Sequence, residues 1–483
     1  MTHVVQSLIG GRWVVDEAAE RSLDRNPARW SEVLAEVPRS GGALVDSAIT
    51  AAIAARDGWA RTSPLARGKL LLRVAAVIDE RREDLARLMT AEQGKPLAEA
   101  RGEVARVIDF CEWMSGQGGH MTGITAPSEA GLVALTTLEP LGVVGLLTPW
   151  NFPLNIPNWK IASALLHGNT AVLKASDLTA RCAEELVRCY QDAGLPDGVL
   201  NFVTGSGSVV GTAIVEHPEV AAVSFTGSTA VGLEIAQRLA ARGAKAQCEM
   251  GGSNPVVVCD DADLALAVDH IVAAAYGTSG QRCTAARRII AVPAVRDELI
   301  ERLEAARRDL TVGPGERDGV DVGPLCDPAG LEEVLASVAR AEAEGCEVRG
   351  GERLDGGELA DGLFMAPALV TGVLPGMQLA HEEVFGPVLA VQDAADYDHA
   401  VELANATTYG LSGAVFTRDL GRAVDFARRI GTGMVHVNKG PTGGESHLPF
   451  GGARHSSLGP KEMGAAREFF TQSKTVYLDA RLS

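Results

Sequence analysis

Long apolar runs are missing from this sequence: stretches such as LGVVGLL fall far short of the roughly 18 residues that a membrane-spanning helix needs. The N-terminal MTHVVQSLIGGRWV also lacks the basic-then-apolar layout of a signal peptide, so a cytoplasmic protein is expected. Cysteine is sparse, with 8 in 483 residues, none in a C-x-x-C pair and none with a histidine at zinc-site spacing. That argues against a metal centre and for buried structural thiols in a reducing compartment. Positive charge is in deficit: 44 Lys and Arg against 62 Asp and Glu give a net charge of −18, and no basic patch interrupts it. Such a surface repels phosphate backbones and anionic lipid, so neither nucleic acid nor membrane is an expected partner. Repeats of 20 to 50 residues and low-complexity tracts are absent too, which excludes a solenoid and a disordered chain.

What remains is ordinary globular composition with 54 glycines, in a chain long enough for about three structural units. From Ser63 to about Phe110, apolar residues recur at helical spacing between charges, as in GKLLLRVAAVIDERREDLARLM. After Leu141 the texture changes to short Val-rich runs, LGVVGLLT, NTAVLK, GVLNFVT and VAAVSFT, separated by helical patterns. This alternation predicts a parallel sheet covered on both faces. It resumes after EMGGSNP (residues 249–255) with NPVVVCD, RRIIAV and GLSGAVFT, which predicts a second α/β unit.

A parallel sheet raises the question of a dinucleotide. GSGSVVG (205–211) misses the G-x-G-x-x-G spacing by one residue. SFTGSTAVG is a better candidate, because a strand ending at Phe225 and a helix starting near Thr229 would aim backbone N–H groups of Gly227 and Ser228 at a phosphate. Taken alone, it is equally an ordinary turn with Ser228 as helix cap.

The stretch GTSGQRCTAARR places Cys283 in a glycine- and serine-rich approach with arginines around it. Together with LTPWNFPLNIPNWK (147–160), AVLKASD (171–177), CEMGGSNP (248–255), EVFGPV (383–388) and LPFGGARHSSLG (448–459), it resembles the aldehyde dehydrogenase superfamily over nearly the whole chain. Spacings agree: Cys283 follows Glu249 by 34 residues, and Lys174 follows Asn151 by 23. The resemblance implies Cys283 as nucleophile, Asn151 as an oxyanion donor, and Glu249 as the base that activates water on the thioester. Each role has a physical rationale. Only a tetrahedral oxyanion adduct expels hydride, a thiolate forms that adduct readily, and neighbouring Arg282 or nearby backbone amides would favour the thiolate.

For the cofactor, the resemblance implies Lys174 at the adenosine ribose, Glu383 at the nicotinamide ribose, and Phe385, Trp150, Thr148, Gly227 and Ser228 along the dinucleotide. Asp177 stands where many NAD-using relatives carry the longer glutamate. Its carboxylate favours NAD by repelling a 2′-phosphate, while its shorter reach leaves NADP open. The C-terminal run from Val437 to Tyr477 is similar to the branch of α-ketoglutaric semialdehyde dehydrogenases. Arg282 would then either meet the substrate's acid group or tune and pack beside Cys283, with Thr284 and Phe450 shaping the tunnel. A broad aliphatic or aromatic aldehyde specificity is the alternative. Succinic semialdehyde is disfavoured because Gly277 replaces an arginine, and acyl transfer to CoA is disfavoured by the presence of Glu249.

The implied architecture is α/β. It comprises a cofactor domain of two segments (1–119 and 141–249), a catalytic domain (250–435), a C-terminal tunnel segment (436–465), and a small β bridging element (120–140 with 466–483). A ribbon of that kind is unstable alone, so a homodimer or homotetramer is expected.

Overall fold

The Val-rich runs are strands buried along most of their length, as both-face coverage requires. The computed structural model describes residues 2–479, so the last four residues of the expected bridging element lie outside the described residues. One sheet has as its centre five parallel strands, in the order Lys245–Glu249, Val220–Thr226, Val143–Leu147, Thr170–Lys174, Leu200–Phe202. An antiparallel hairpin, Ser7–Ile9 and Arg12–Val14, flanks one edge. The chain enters at Val143–Leu147, winds outward one way through Thr170–Lys174, then returns to continue the other way from Val220–Thr226. The strand order therefore reverses between Val143–Leu147 and Val220–Thr226, and a crevice opens beyond their carboxyl ends.

Alternation along the strands builds two cores. Val144 and Leu146 join Ala171 and Leu173 in one apolar cluster, whereas Val143 and Leu147 join Val172 and Val223 in the cluster on the opposite face. The first cluster is closed by the expected helical layer: Pro64–Glu80, Arg82–Gln93 and Leu97–Gln117. Ser63 accepts from the Ala66 N–H and Pro64 takes the first helical position, so the first helix is capped by a side chain. The continuous helical texture seen in sequence is in fact broken at Arg81, whose φ of −106° and ψ of 11° separate two helices.

The second sheet orders Ala368–Thr371, Val388–Asp393, Ala286–Ala291, Asn254–Val258, Ser412–Phe416 and Met434–Val437 as parallel neighbours, with Glu347–Arg349 antiparallel at one edge. A third, antiparallel sheet joins Thr125–Ala126, Val133–Pro140 and Thr471–Leu478, the last two paired over eight residues.

The C-terminal stretch departs from the expected layout in two places. Ser457–Leu458 pairs with Lys245–Glu249 and so extends the first sheet instead of belonging to a separate segment. The helix Ala466–Phe470 buries Phe469 and Phe470 in the first core, so only the residues from Thr471 onward join the three-stranded sheet.

Candidate active site

Cys283 sits on a loop whose backbone is forced. Thr278 and Ser279 hold φ of 52° and 55°, and Gly280 holds 67°; a Cβ on Gly280 would lie 2.1 Å from the Gly386 carbonyl. Such conformations persist only where neighbours over-determine them. Asn254 does so by donating to the carbonyls of Cys283 (2.7 Å) and Ala285 (2.9 Å). Buried Arg287 donates to the carbonyls of Gly386 (2.8 Å) and Gly280 (2.6 Å). Arg288 is likewise spent on the carbonyls of Ser253, Leu403 and Ala404. Arg287 thus staples this loop, while Arg288 ties its strand to the segments that hold Ser253, Leu403 and Ala404.

Arg282 lines the space beside Cys283 with its guanidinium already engaged. Its guanidinium pairs with Glu99 at 2.6 Å, and its Nε donates to Thr278 Oγ1 at 2.9 Å. Its charge is thus partnered by Glu99 within the wall of the cavity that Cys283 also lines. The Cys283 thiol is instead pushed up to about 12, first by burial and then by Glu383, Glu249 and Glu462, with only the Thr284 N–H acting the other way.

Asn151 follows the strand Val143–Leu147, at the crevice. Its Nδ2 donates to the Gln281 carbonyl at 3.1 Å, which ties it to the cysteine loop, and its buried Oδ1 has no partner. A buried ion pair absent from the sequence reading holds this turn. Lys95 binds Glu103 (2.6 Å) and the Asn151 carbonyl (2.8 Å), while Glu103 accepts from the N–H groups of Leu154 and Asn155. The only sequence signal for it was GKP at 94–96, which carries no chemistry by itself.

Glu249 ends its strand in a buried position. Burial and the neighbouring Glu462 push its carboxyl well above the usual range; the Ser457 hydroxyl donates to Oε2, and Oε1 has no partner. A Cβ on Gly451 would fall 2.5 Å from that free oxygen, so the position has to be bare. Behind it, Lys160 forms a buried ion pair with Glu462 and donates to Ser224 at 2.7 Å. Lys160, Glu462 and Ser457 are also residues that sequence reasoning missed, because the Lys160–Glu462 and Ser457–Glu249 pairs each join positions more than 200 residues apart in the chain.

Two cavities meet at the cysteine. One, of about 290 Å³, is lined by Cys283, Thr284, Arg282, Phe152, Trp159 and Phe450 among others. The second, about 440 Å³, is lined by Cys283, Asn151, Trp150, Gly227, Ser228 and Glu383, with Phe385 edge-on to Trp150 at 5.6 Å between ring centres. Ser228 stands at the cap of Thr229–Ala241 but makes no capping bond with its side chain, which leaves it facing this space. Glu383 accepts from the Gly252 N–H at 3.0 Å; burial raises its carboxyl to about 7, against the pull of Arg287. A neighbouring cavity of about 510 Å³ holds Thr148, Lys174 and Thr226, and the hydroxyls of Thr148 and Thr226 are buried with no partner. Asp177 lies beside Lys174, with 3.7 Å between its carboxylate and the Lys174 ammonium.

A doubly wound crevice ending at a cysteine, an asparagine amide and a buried carboxyl agrees with the sequence comparisons. The pattern that defines the aldehyde dehydrogenase family matches residues 13–476. This chain belongs to the aldehyde dehydrogenase family. It is 40% identical over 475 residues to the α-ketoglutaric semialdehyde dehydrogenase of Bacillus subtilis, covering 98% of this chain and 97% of that one. It is 37% identical over 480 residues to malonate-semialdehyde dehydrogenase 1 of Geobacillus thermodenitrificans, covering 98% and 99%. Among solved structures it superposes on Staphylococcus aureus betaine aldehyde dehydrogenase in complex with NAD+ with a TM-score of 0.96 at 32% identity, over 99% of this chain and 95% of that one. The chain is therefore an α/β oxidoreductase acting on an aldehyde group.

Proposed function

We propose that this aldehyde dehydrogenase oxidises a semialdehyde bearing an acid group, α-ketoglutaric semialdehyde first among them, with NAD as acceptor and water as second nucleophile. The observation that carries this reading is that Cys283 forms part of the wall of both cavities, so a substrate carbon and a nicotinamide can meet at one sulfur. The dinucleotide fits the residues present: Gly227 and Gly251 are bare, where a Cβ on Gly251 would strike Glu383 at 2.0 Å, and the partnerless Thr148 and Thr226 hydroxyls await an acceptor or donor. Bound NAD supplies the hydride acceptor.

In this reading Cys283 gives its proton to solvent water and its sulfur adds to the aldehyde carbon, giving an oxyanion that the Asn151 amide and the Cys283 N–H stabilise. Hydride leaves that carbon, and a thioester on Cys283 remains. Glu249 then takes a proton from water, whose oxygen adds to the thioester; the acid departs and the thiol is restored. Lys174 and Asp177 hold the adenosine ribose, Glu383 the nicotinamide ribose. Trp150, Thr148, Phe385, Gly227 and Ser228 line the rest. Thr284 and Phe450 shape the substrate side, and Arg282 contributes through Glu99 and the cysteine loop. The relatives named for α-ketoglutaric and malonate semialdehydes support an anionic substrate. The aromatic lining by Phe152, Trp159 and Phe450 supports the second reading, an uncharged aliphatic or aromatic aldehyde.

Domain roles follow from the same reading: 1–119 with 141–249 bind the cofactor, 250–435 carry catalysis, and the three-stranded sheet joins subunits into a homodimer or homotetramer. Eight unpaired cysteines support a cytoplasmic location. The test is initial rates of NADH and NADPH formation with α-ketoglutaric semialdehyde, succinic semialdehyde, pentanal and benzaldehyde, each repeated with Cys283→Ala. A higher kcat/KM for the acid-bearing aldehydes, abolished in the variant, is expected; preference for pentanal or benzaldehyde overturns the anionic reading.

A further inference from the structure

The substrate-side cavity has more charge than its chemistry uses, and the charges cancel in an informative way. Besides Cys283, five charged side chains line it: Lys95, Glu99, Glu103, Arg106 and Arg282. Lys95 and Glu103 are bound to one another at 2.6 Å and are buried. Arg282 and Glu99 are bound to one another, also at 2.6 Å. That leaves Arg106, which pairs with no carboxylate among the described residues. Its sole direct hydrogen bond is a long one, 3.4 Å from Nη1 to the Gly444 carbonyl. Glu445, the next acid along that loop, faces His447 instead.

Helical spacing puts Arg106 in this position. Glu99, Glu103, Arg106 and Phe110 lie three or four residues apart on Leu97–Gln117 and therefore share the face that walls the cavity. The opposite wall at that level is Thr442–Gly444, where Gly443 has a φ of 90° and a Cβ would sit 3.8 Å from both terminal nitrogens of Arg106. The absence of a side chain there leaves the planar guanidinium open to the cavity. An arginine fork with its donors largely unused matches a carboxylate bidentately, and Thr442 and Ser446 add hydroxyls beside it.

Building on the proposed acid-bearing substrate, we propose that Arg106, and not Arg282, binds the substrate's distal carboxylate and sets the preference for anionic aldehydes. The helix face holds that end at the mouth while the aldehyde carbon reaches Cys283. Selectivity then comes from a residue 177 positions before the nucleophile in the chain.

The test is the ratio of kcat/KM for α-ketoglutaric semialdehyde to that for pentanal, measured with saturating NAD in wild type, Arg106→Gln and Arg106→Lys, with thermal melts to confirm folding. The ratio should fall roughly ten- to a hundredfold in Arg106→Gln through KM for the acid, the loss expected when one charge-assisted pair is removed. Arg106→Lys should recover part of it by restoring the charge without the fork. A wild type that favours the acid with an unchanged ratio in Arg106→Gln overturns Arg106 and leaves the substrate reading standing. A wild type with no preference for the acid overturns both.

Discussion

At the scale of single residues, burial does most of the chemical tuning. The Cys283 thiol stands at about 12 because it is taken out of water among the carboxyls of Glu383, Glu249 and Glu462. Without cofactor, its alkylation by iodoacetamide should therefore climb about tenfold per pH unit from pH 7 to 10, since the thiolate fraction grows with pH below the pKa. A plateau by pH 8 would show that a cationic group ionises it after all. Glu383 makes an opposite and separable statement about stability. Its folded value of about 7 lies above the ordinary 4.5, so the native protein holds the proton longer than the unfolded chain. That contribution is full below about pH 4.5 and is lost as pH rises to about 7, on the order of 3 kcal/mol. The apoprotein melting temperature of Glu383→Gln should thus decline less between pH 5 and 8 than that of wild type; parallel curves would refute it.

At the scale of elements, loop geometry and not helix or strand propensity fixes the site. The cysteine loop has three consecutive positive φ values, and Gly280 packs against the Gly386 carbonyl with no room for a Cβ. Gly280→Ala should cost about 2 kcal/mol or more, visible as a lowered melting temperature, and should depress kcat, because the loop can only relieve the clash by moving Cys283. Unchanged melting and kcat would mean that the loop is softer than its contacts imply. The turn at Asn151 depends on the Lys95–Glu103 pair, and the position of Glu249 depends on Ser457 and bare Gly451. These supports were invisible to pattern reading, because each joins segments with no shared periodicity. The helix break at Arg81 escaped for another reason: charged residues fit a helix interior as well as a joint.

At the scale of the whole molecule, the sheet of Thr471–Leu478, Val133–Pro140 and Thr125–Ala126 has exposed positions along its strands and little core of its own. A chain truncated after Phe470 should lose the homo-oligomer that mass photometry is expected to show for the full chain; an unchanged oligomer would move the interface elsewhere. Sequence alone settled the α/β alternation, because buried parallel strands must be short Val-rich runs between helical patterns. It also settled the candidacy of Cys283, Glu249, Asn151 and Lys174, because their motifs are local and specific. Which charges remain free was a matter for three-dimensional packing. Arg282 looked available beside Cys283, yet Glu99, 183 residues earlier, neutralises it, whereas Arg106, unmarked by any motif, is left without a carboxylate at the cavity mouth. Electrostatic pairing follows distance in space, and a linear pattern holds no record of which distant carboxylate arrives first.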